Sequence, residues 1–179
     1  LESIITPVTE RLWQFDVLYN SIFYTGAVGV MVIVLIIVDP LSKVIKDRVM
    51  ILCGWIAAGA GIALLLAFSW YTTLSTVTSD NVQILFWQWC VGCVGYLVSV
   101  PMFECVVTSL FSKLTPDNMQ GRGQALLAGM NNLGKILGPT VSGALLSASM
   151  RLTFLVSLGL WALGFLLTAI AWKKLVVAP

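Results

Sequence analysis

The sequence predicts an all-α membrane protein with five transmembrane helices, and three observations carry that prediction. Of its 179 residues, 59% are hydrophobic and only 10% charged, where soluble domains run at about 45–50% and about 25%. Mean hydropathy reaches +0.96. The apolar residues gather into long runs bounded by charge, each close to the roughly 20 residues that carry a helix across a hydrocarbon core about 30 Å thick. Lipid offers no partner to open strand edges or irregular backbone, so such runs cross as helices. This composition excludes disorder, collagen and a water-soluble α/β enzyme. Ten basic and eight acidic residues leave a net charge of +2, too little for a nucleic-acid surface. Histidine is absent, which removes His-based proton relays, triads and metal sites.

Residues 1–16 mix Glu2, Glu10, Arg11 and Asp16 with an apolar Ile4-Ile5 pair and Pro7. They are expected to form the lumenal or extracellular end of a preceding helix, then a loop. The chain starts at Leu1 and reads as a piece of a longer protein. No basic stretch leads a short apolar run here, so the segment is not a signal peptide. A five-helix bundle is expected over 17–172. Span one, 17–38, stays uncharged up to Asp39-Pro40. Span two, 49–70, offers Gly54, Ala57, Ala58, Gly59 and Gly61 as a packing face. Span three, 82–111, is interrupted by Glu104, with Pro101 just before it as a bending point. Span four, 123–147, carries Lys135 as its single charge, and span five, 152–172, has none. Residues 173–179 are expected as a tail.

Basic residues set the orientation. Lys43, Lys46, Arg48, Lys113, Arg122, Lys173 and Lys174 fall on one side, against Arg11 and Arg151 on the other. That distribution places the C-terminus in the cytosol. Trp70, Tyr71, Trp87, Trp89 and Trp172 lie near span ends, as in an interfacial aromatic belt.

Glu104 and Lys135 are the charges inside spans, and such residues are costly and face a cavity or a partner. A rise of 1.5 Å per residue puts Glu104 about 13 Å above Lys113 and Lys135 about 20 Å above Arg122, so their depths differ by about 6 Å. Two readings stand. One is a coupling carboxylate and an anion-attracting lysine in an aqueous cavity; the other is a structural ion pair locking spans three and four. Gln124, Ala128, Asn131, Lys135, Gly138 and Ser142 recur at spacings that share one helical stripe. The stripe is either a cavity wall or a packing seam whose hydrogen bonds are worth about 1 kcal/mol each. Gly134 and Gly138 form a small-xxx-small pair, and Pro139 removes the bond to the Lys135 carbonyl. Gly134, Gly138, Pro139 and Gly143 are therefore candidate packing or gating positions. Cys90-Val91-Gly92-Cys93 has CxxC spacing, yet it lies within a span and reads as small buried thiols. No nucleophile has a base beside it, so no enzyme and no cofactor is expected.

Gly134-x-x-x-Gly138-Pro139-x-x-Ser142-Gly143 resembles the GxxxGPxxGG pattern of the major facilitator superfamily, with Ser142 replacing one glycine. Residues Asp39 to Arg48 resemble a degraded form of that superfamily's basic loop between paired helices. Leu41 and Arg48 are kept, but Lys43 stands where an acid belongs and Lys46 where a glycine belongs. Glu2-Ser3-Ile4-Ile5-Thr6-Pro7, Leu18-Tyr19-Asn20, Leu41-Ser42-Lys43 and Ile136-Leu137-Gly138-Pro139 resemble the lysosomal ceroid-lipofuscinosis branch. The resemblance implies twelve helices in two six-helix halves. The five spans here would be helices eight to twelve, behind the end of helix seven, with a missing N-terminal half as partner. Asn20, Tyr24, Glu104, Asn131 and Lys135 would line the cavity. An endolysosomal membrane is implied, with the plasma membrane as the alternative. The expected function is alternating-access transport of a small solute, anionic in the favoured case. The alternatives are channel-like anion conduction and a non-transporting packing protein. The expected partners are the lipid bilayer and a small-molecule or ion substrate, without nucleic acid.

Overall fold

The computed structural model describes residues 2–74 and 79–172, and every regular element within them is helical. Six α-helices follow in order: α1 Glu2–Trp13, α2 Val17–Val44, α3 Asp47–Leu74, α4 Ser79–Leu114, α5 Gln120–Ala148 and α6 Met150–Ala171. A 3₁₀ turn, Asp117–Met119, leads into α5. The tail 173–179, with Lys173 and Lys174, lies outside the described residues.

Four helical stretches are long and apolar enough to cross a membrane: Val17–Ser42, Asp47–Thr72, Val82–Lys113 and Met150–Ala171. Among the described residues this gives four, so the expected count of five is not confirmed. Helix α5 has the length, at 29 residues, but Gln124, Asn131, Asn132, Lys135 and its glycines dilute its apolar character. The segment before span one is largely helix, since α1 takes up 12 of its residues. Span one also outruns its expected end at Val38, because α2 passes Asp39-Pro40 and stops at Val44. A proline forfeits one backbone hydrogen bond, and the last turn is held by others. The Ser42 hydroxyl donates to the Asp39 carbonyl at 2.7 Å, and the Ile45 N–H donates to the Leu41 carbonyl at 2.8 Å.

The turn between α1 and α2 is set locally. Gln14 takes φ 53°, and its N–H donates to the Glu10 carbonyl at 3.1 Å, which closes α1 with a left-handed cap. Asp16 then opens α2: its carboxylate accepts the Tyr19 N–H at 2.9 Å, satisfying a donor that the first helical turn leaves orphaned.

Between helices already solvated by lipid, burying apolar area brings little gain, and close van der Waals approach does the work. Helices α3 and α4 run antiparallel and form the main seam. A Cβ on Gly61 would lie 2.6 Å from the Tyr96 nitrogen and 2.8 Å from the Gly92 carbonyl oxygen, so the two backbones touch there. Helices α3 and α6 interlock through two tryptophans. Trp161 lies over Gly59, and Trp55 lies over Gly164, where a Cβ would come within 2.6 Å of the Trp55 ring. The Trp161 Nε1 donates to the Trp55 carbonyl at 3.0 Å.

An arginine on a tryptophan ring closes each end of this pair. The Arg48 guanidinium stands 5.5 Å from the Trp172 ring centroid, and its Nη2 donates to the Trp172 carbonyl at 2.9 Å. At the opposite end Arg151 stands 4.9 Å from the Trp70 ring centroid. Arg48 and Trp70 are about 33 Å apart along α3, close to the thickness of a hydrocarbon core.

Apolar packing concentrates at the two ends of the bundle. At one end Ile4, Ile5 and Val8 of α1 join Leu65, Phe68, Leu85, Trp89, Cys93 and Phe154. At the other end Val38, Met50, Ile51, Val106 and Leu110 pack without α1.

Candidate functional site

The α1 core is the reference for placing Glu104 and Lys135. Cys93 of α4 belongs to that core, and Leu146 of α5 packs against it. Three helical turns, about 16 Å, separate Cys93 from Glu104 and Leu146 from Lys135. Three turns also return a side chain to within about 20° of the same face. Glu104 and Lys135 thus lie on the faces of α4 and α5 that carry their helices' contacts with the α1 core, at the level below it.

Both side chains are exposed, and so is every residue from Asn131 to Thr140. Helices α4 and α5 approach at their hairpin end, where Gly123 lies against Phe111 and Thr115. Glu104 and Lys135 do not form an ion pair with each other among the described residues, whereas Lys113 of α4 pairs with Asp47 of α3 at 2.6 Å. The structural lock between spans three and four is therefore not formed. Among the described residues, the glycines of the glycine-proline element in α5 do not pack against a neighbouring helix: a Cβ on Gly134, Gly138 or Gly143 meets nothing within 4 Å. The helix continues through Pro139, and the Thr140 and Ser142 hydroxyls donate to the carbonyls of Ile136 and Pro139 at 3.1 and 3.2 Å.

The structure does not bring Asn20 and Tyr24 into this group. Asn20 is 5% exposed, and its Oδ1 accepts the Thr9 hydroxyl at 2.6 Å. One turn on, the Tyr24 hydroxyl accepts from Thr6 Oγ1 at 3.3 Å. These two contacts tie α2 to α1. Thr6 and Thr9 share one face of α1, and Asn20 and Tyr24 share one face of α2, so two polar pairs at matching spacing were the available signal for the tie.

Aromatic side chains surround the same end. The Trp13 ring centroid lies 5.9 Å from Phe68, 5.4 Å from Phe86 and 6.3 Å from Trp89. Trp89 also lies 5.2 Å from Phe68 and is fully buried, so its expected place in an interfacial belt is corrected: it is core. Its position near a span end hid this, because α1 covers that span end. The four cysteines are free thiols, with Cys93 buried, Cys90 and Cys105 half-buried and Cys53 exposed.

Long apolar helices, close glycine crossings and Arg–Trp contacts a bilayer apart define a multi-pass α-helical membrane protein. The chain belongs to the Major Facilitator Superfamily, whose family model matches residues 3–177. It is accordingly a membrane transporter of that superfamily, whose members move solutes rather than catalyse reactions. No curated protein and no solved structure matches it.

Proposed function

We propose that the chain forms one six-helix half of a secondary transporter, and that its solute passes beside Glu104 and Lys135. The observation carrying this reading is their placement: two opposite charges, each exposed and three turns below the α1 core, that do not pair with each other among the described residues. A charge within a membrane segment serves where water or solute reaches it. Lys135 attracts the anionic group of a small solute, Glu104 carries a proton or senses the solute, and Asn131 adds an amide one turn from Lys135. Alternating access, with solute held near the midplane, is the mode that a superfamily built from repeated helical halves supports.

The finer assignments rest on sequence. The short matches to the ceroid-lipofuscinosis branch support an endolysosomal membrane, and the distribution of Lys and Arg supports a cytosolic C-terminus. The test is uptake of small organic anions into proteoliposomes. Lys135→Ala is expected to lower uptake at least ten-fold while protein yield and helical content stay unchanged. Undiminished uptake removes Lys135 from the pathway.

A further inference from the structure

We propose that α3 and the start of α6 hold one anionic phospholipid, with its phosphate at Arg151 and an acyl chain in a groove on α3. Ala63, Leu66, Ala67, Trp70 and Tyr71 line that groove, an open and almost wholly apolar space of about 400 Å³. Its volume falls within the range of ligand sites. Spacings of three and four put the lining residues on one stripe of the helix. Ala63 and Ala67 are exposed, and their small side chains leave room beside the Trp70 and Tyr71 rings. The Arg151 guanidinium stands 4.9 Å from the Trp70 ring centroid, so a cation adjoins one end of the groove.

The order of these features along the span is that of a phospholipid. The apolar stretch Asp47–Thr72 is long enough to cross a membrane. Trp70 and Tyr71 fall in its last turn, at the headgroup level that such rings favour, and Ala63 lies about 10 Å deeper. A tail that leaves bulk lipid for an apolar groove gains little, so the headgroup sets the preference. A guanidinium offers a planar fork of donors that matches phosphate oxygens, and contact with the Trp70 ring holds it at the groove's mouth. A choline headgroup brings its own cation toward Arg151, whereas a glycerol headgroup leaves the phosphate charge unopposed. One arginine near an anionic lipid is worth about five-fold in affinity.

The experiment is native mass spectrometry of the full chain in a non-ionic detergent, which counts bound lipid directly. The probes are dioleoylphosphatidylglycerol, dioleoylphosphatidylcholine, dioleoylglycerol and inorganic phosphate, so that charge and acyl chain vary independently. Dioleoylphosphatidylglycerol is expected to bind about five-fold tighter than the choline lipid, with dioleoylglycerol and free phosphate weaker still. Arg151→Gln removes that preference, and Arg151→Lys, which keeps the charge without the fork, retains part of it. Ala63→Leu with Ala67→Leu fills the groove, weakens both phospholipids and leaves their ratio unchanged. The alanines are exposed, and helical content and elution volume verify that each variant folds. Arg11, exposed on α1, is the control for general surface charge. If Arg11→Gln lowers the preference as much as Arg151→Gln does, the site at Arg151 is overturned. Free phosphate binding as tightly as the glycerol lipid, or the filled groove binding lipid as well as wild type, overturns the acyl-chain groove.

Discussion

Replacing Gly61 with alanine tests the glycine crossing of α3 and α4 directly. The added Cβ would sit 2.6 Å from the Tyr96 nitrogen and 2.8 Å from the Gly92 oxygen, and ordinary contact begins at 3.4 Å. Both obstacles are backbone, so no side chain can rotate away, and the helices must part by about 0.8 Å at the crossing. A gap of about 0.5–1 Å forfeits a quarter to a half of each contact's attraction, at about 0.1–0.2 kcal/mol per atom pair. Spread over a few tens of atom pairs along the seam, that loss is about 2 kcal/mol, within the range of about 1–3 kcal/mol for overpacked cores. Better helix propensity returns up to about 1 kcal/mol, so the net destabilisation is about 1–2 kcal/mol. Gly138→Ala is the control, since its Cβ meets nothing within 4 Å in this chain and propensity acts alone. Unfolding of the purified chain in mixed micelles should show Gly61→Ala less stable than wild type and Gly138→Ala equal or more stable. Equal stability of the two variants would refute the claim that backbone contact at Gly61 sets this crossing.

Three other outcomes follow from named contacts. Thr9→Val keeps side-chain shape but leaves the buried Asn20 amide short of a partner, at about 1–3 kcal/mol; faster hydrogen exchange in α1 and the start of α2 is the readout. Asp16→Ala removes the cap on α2 and is expected to cost about 0.5–2 kcal/mol, measured in the same micelle assay, with Asp16→Asn retaining most of the stability. Gln14→Gly relieves a left-handed backbone position that costs a side-chain-bearing residue about 1–2 kcal/mol, so that variant should unfold later than wild type, less whatever glycine's extra flexibility takes back.

The order of long apolar segments could be read in one dimension, because crossing lipid is a requirement on composition and length within each segment. Glu104 and Lys135 were legible for the same reason: a charge inside an apolar run stands out whatever surrounds it. Segment ends were less legible. Pro40 reads as a stop, yet one missing hydrogen bond near a helix end is easily outweighed by the Ser42 and Ile45 contacts. Helix α5 read as a span by its single charge, but its amides and glycines leave it below the apolarity of the other four.

By itself the sequence determined a helical membrane chain of its superfamily and the positions of Glu104 and Lys135 along their helices. Only the tertiary structure decided which small residues are contacts. Gly59, Gly61 and Gly164 each lie against a neighbouring helix, while Gly134 and Gly138 face open space. It also tied Asn20 and Tyr24 to α1 by hydrogen bonds, and left Glu104 and Lys135 without an ion pair to each other among the described residues. The physical reason is the same in each case. A helix's own period fixes which residues share a face, but what that face meets depends on how other helices cross it.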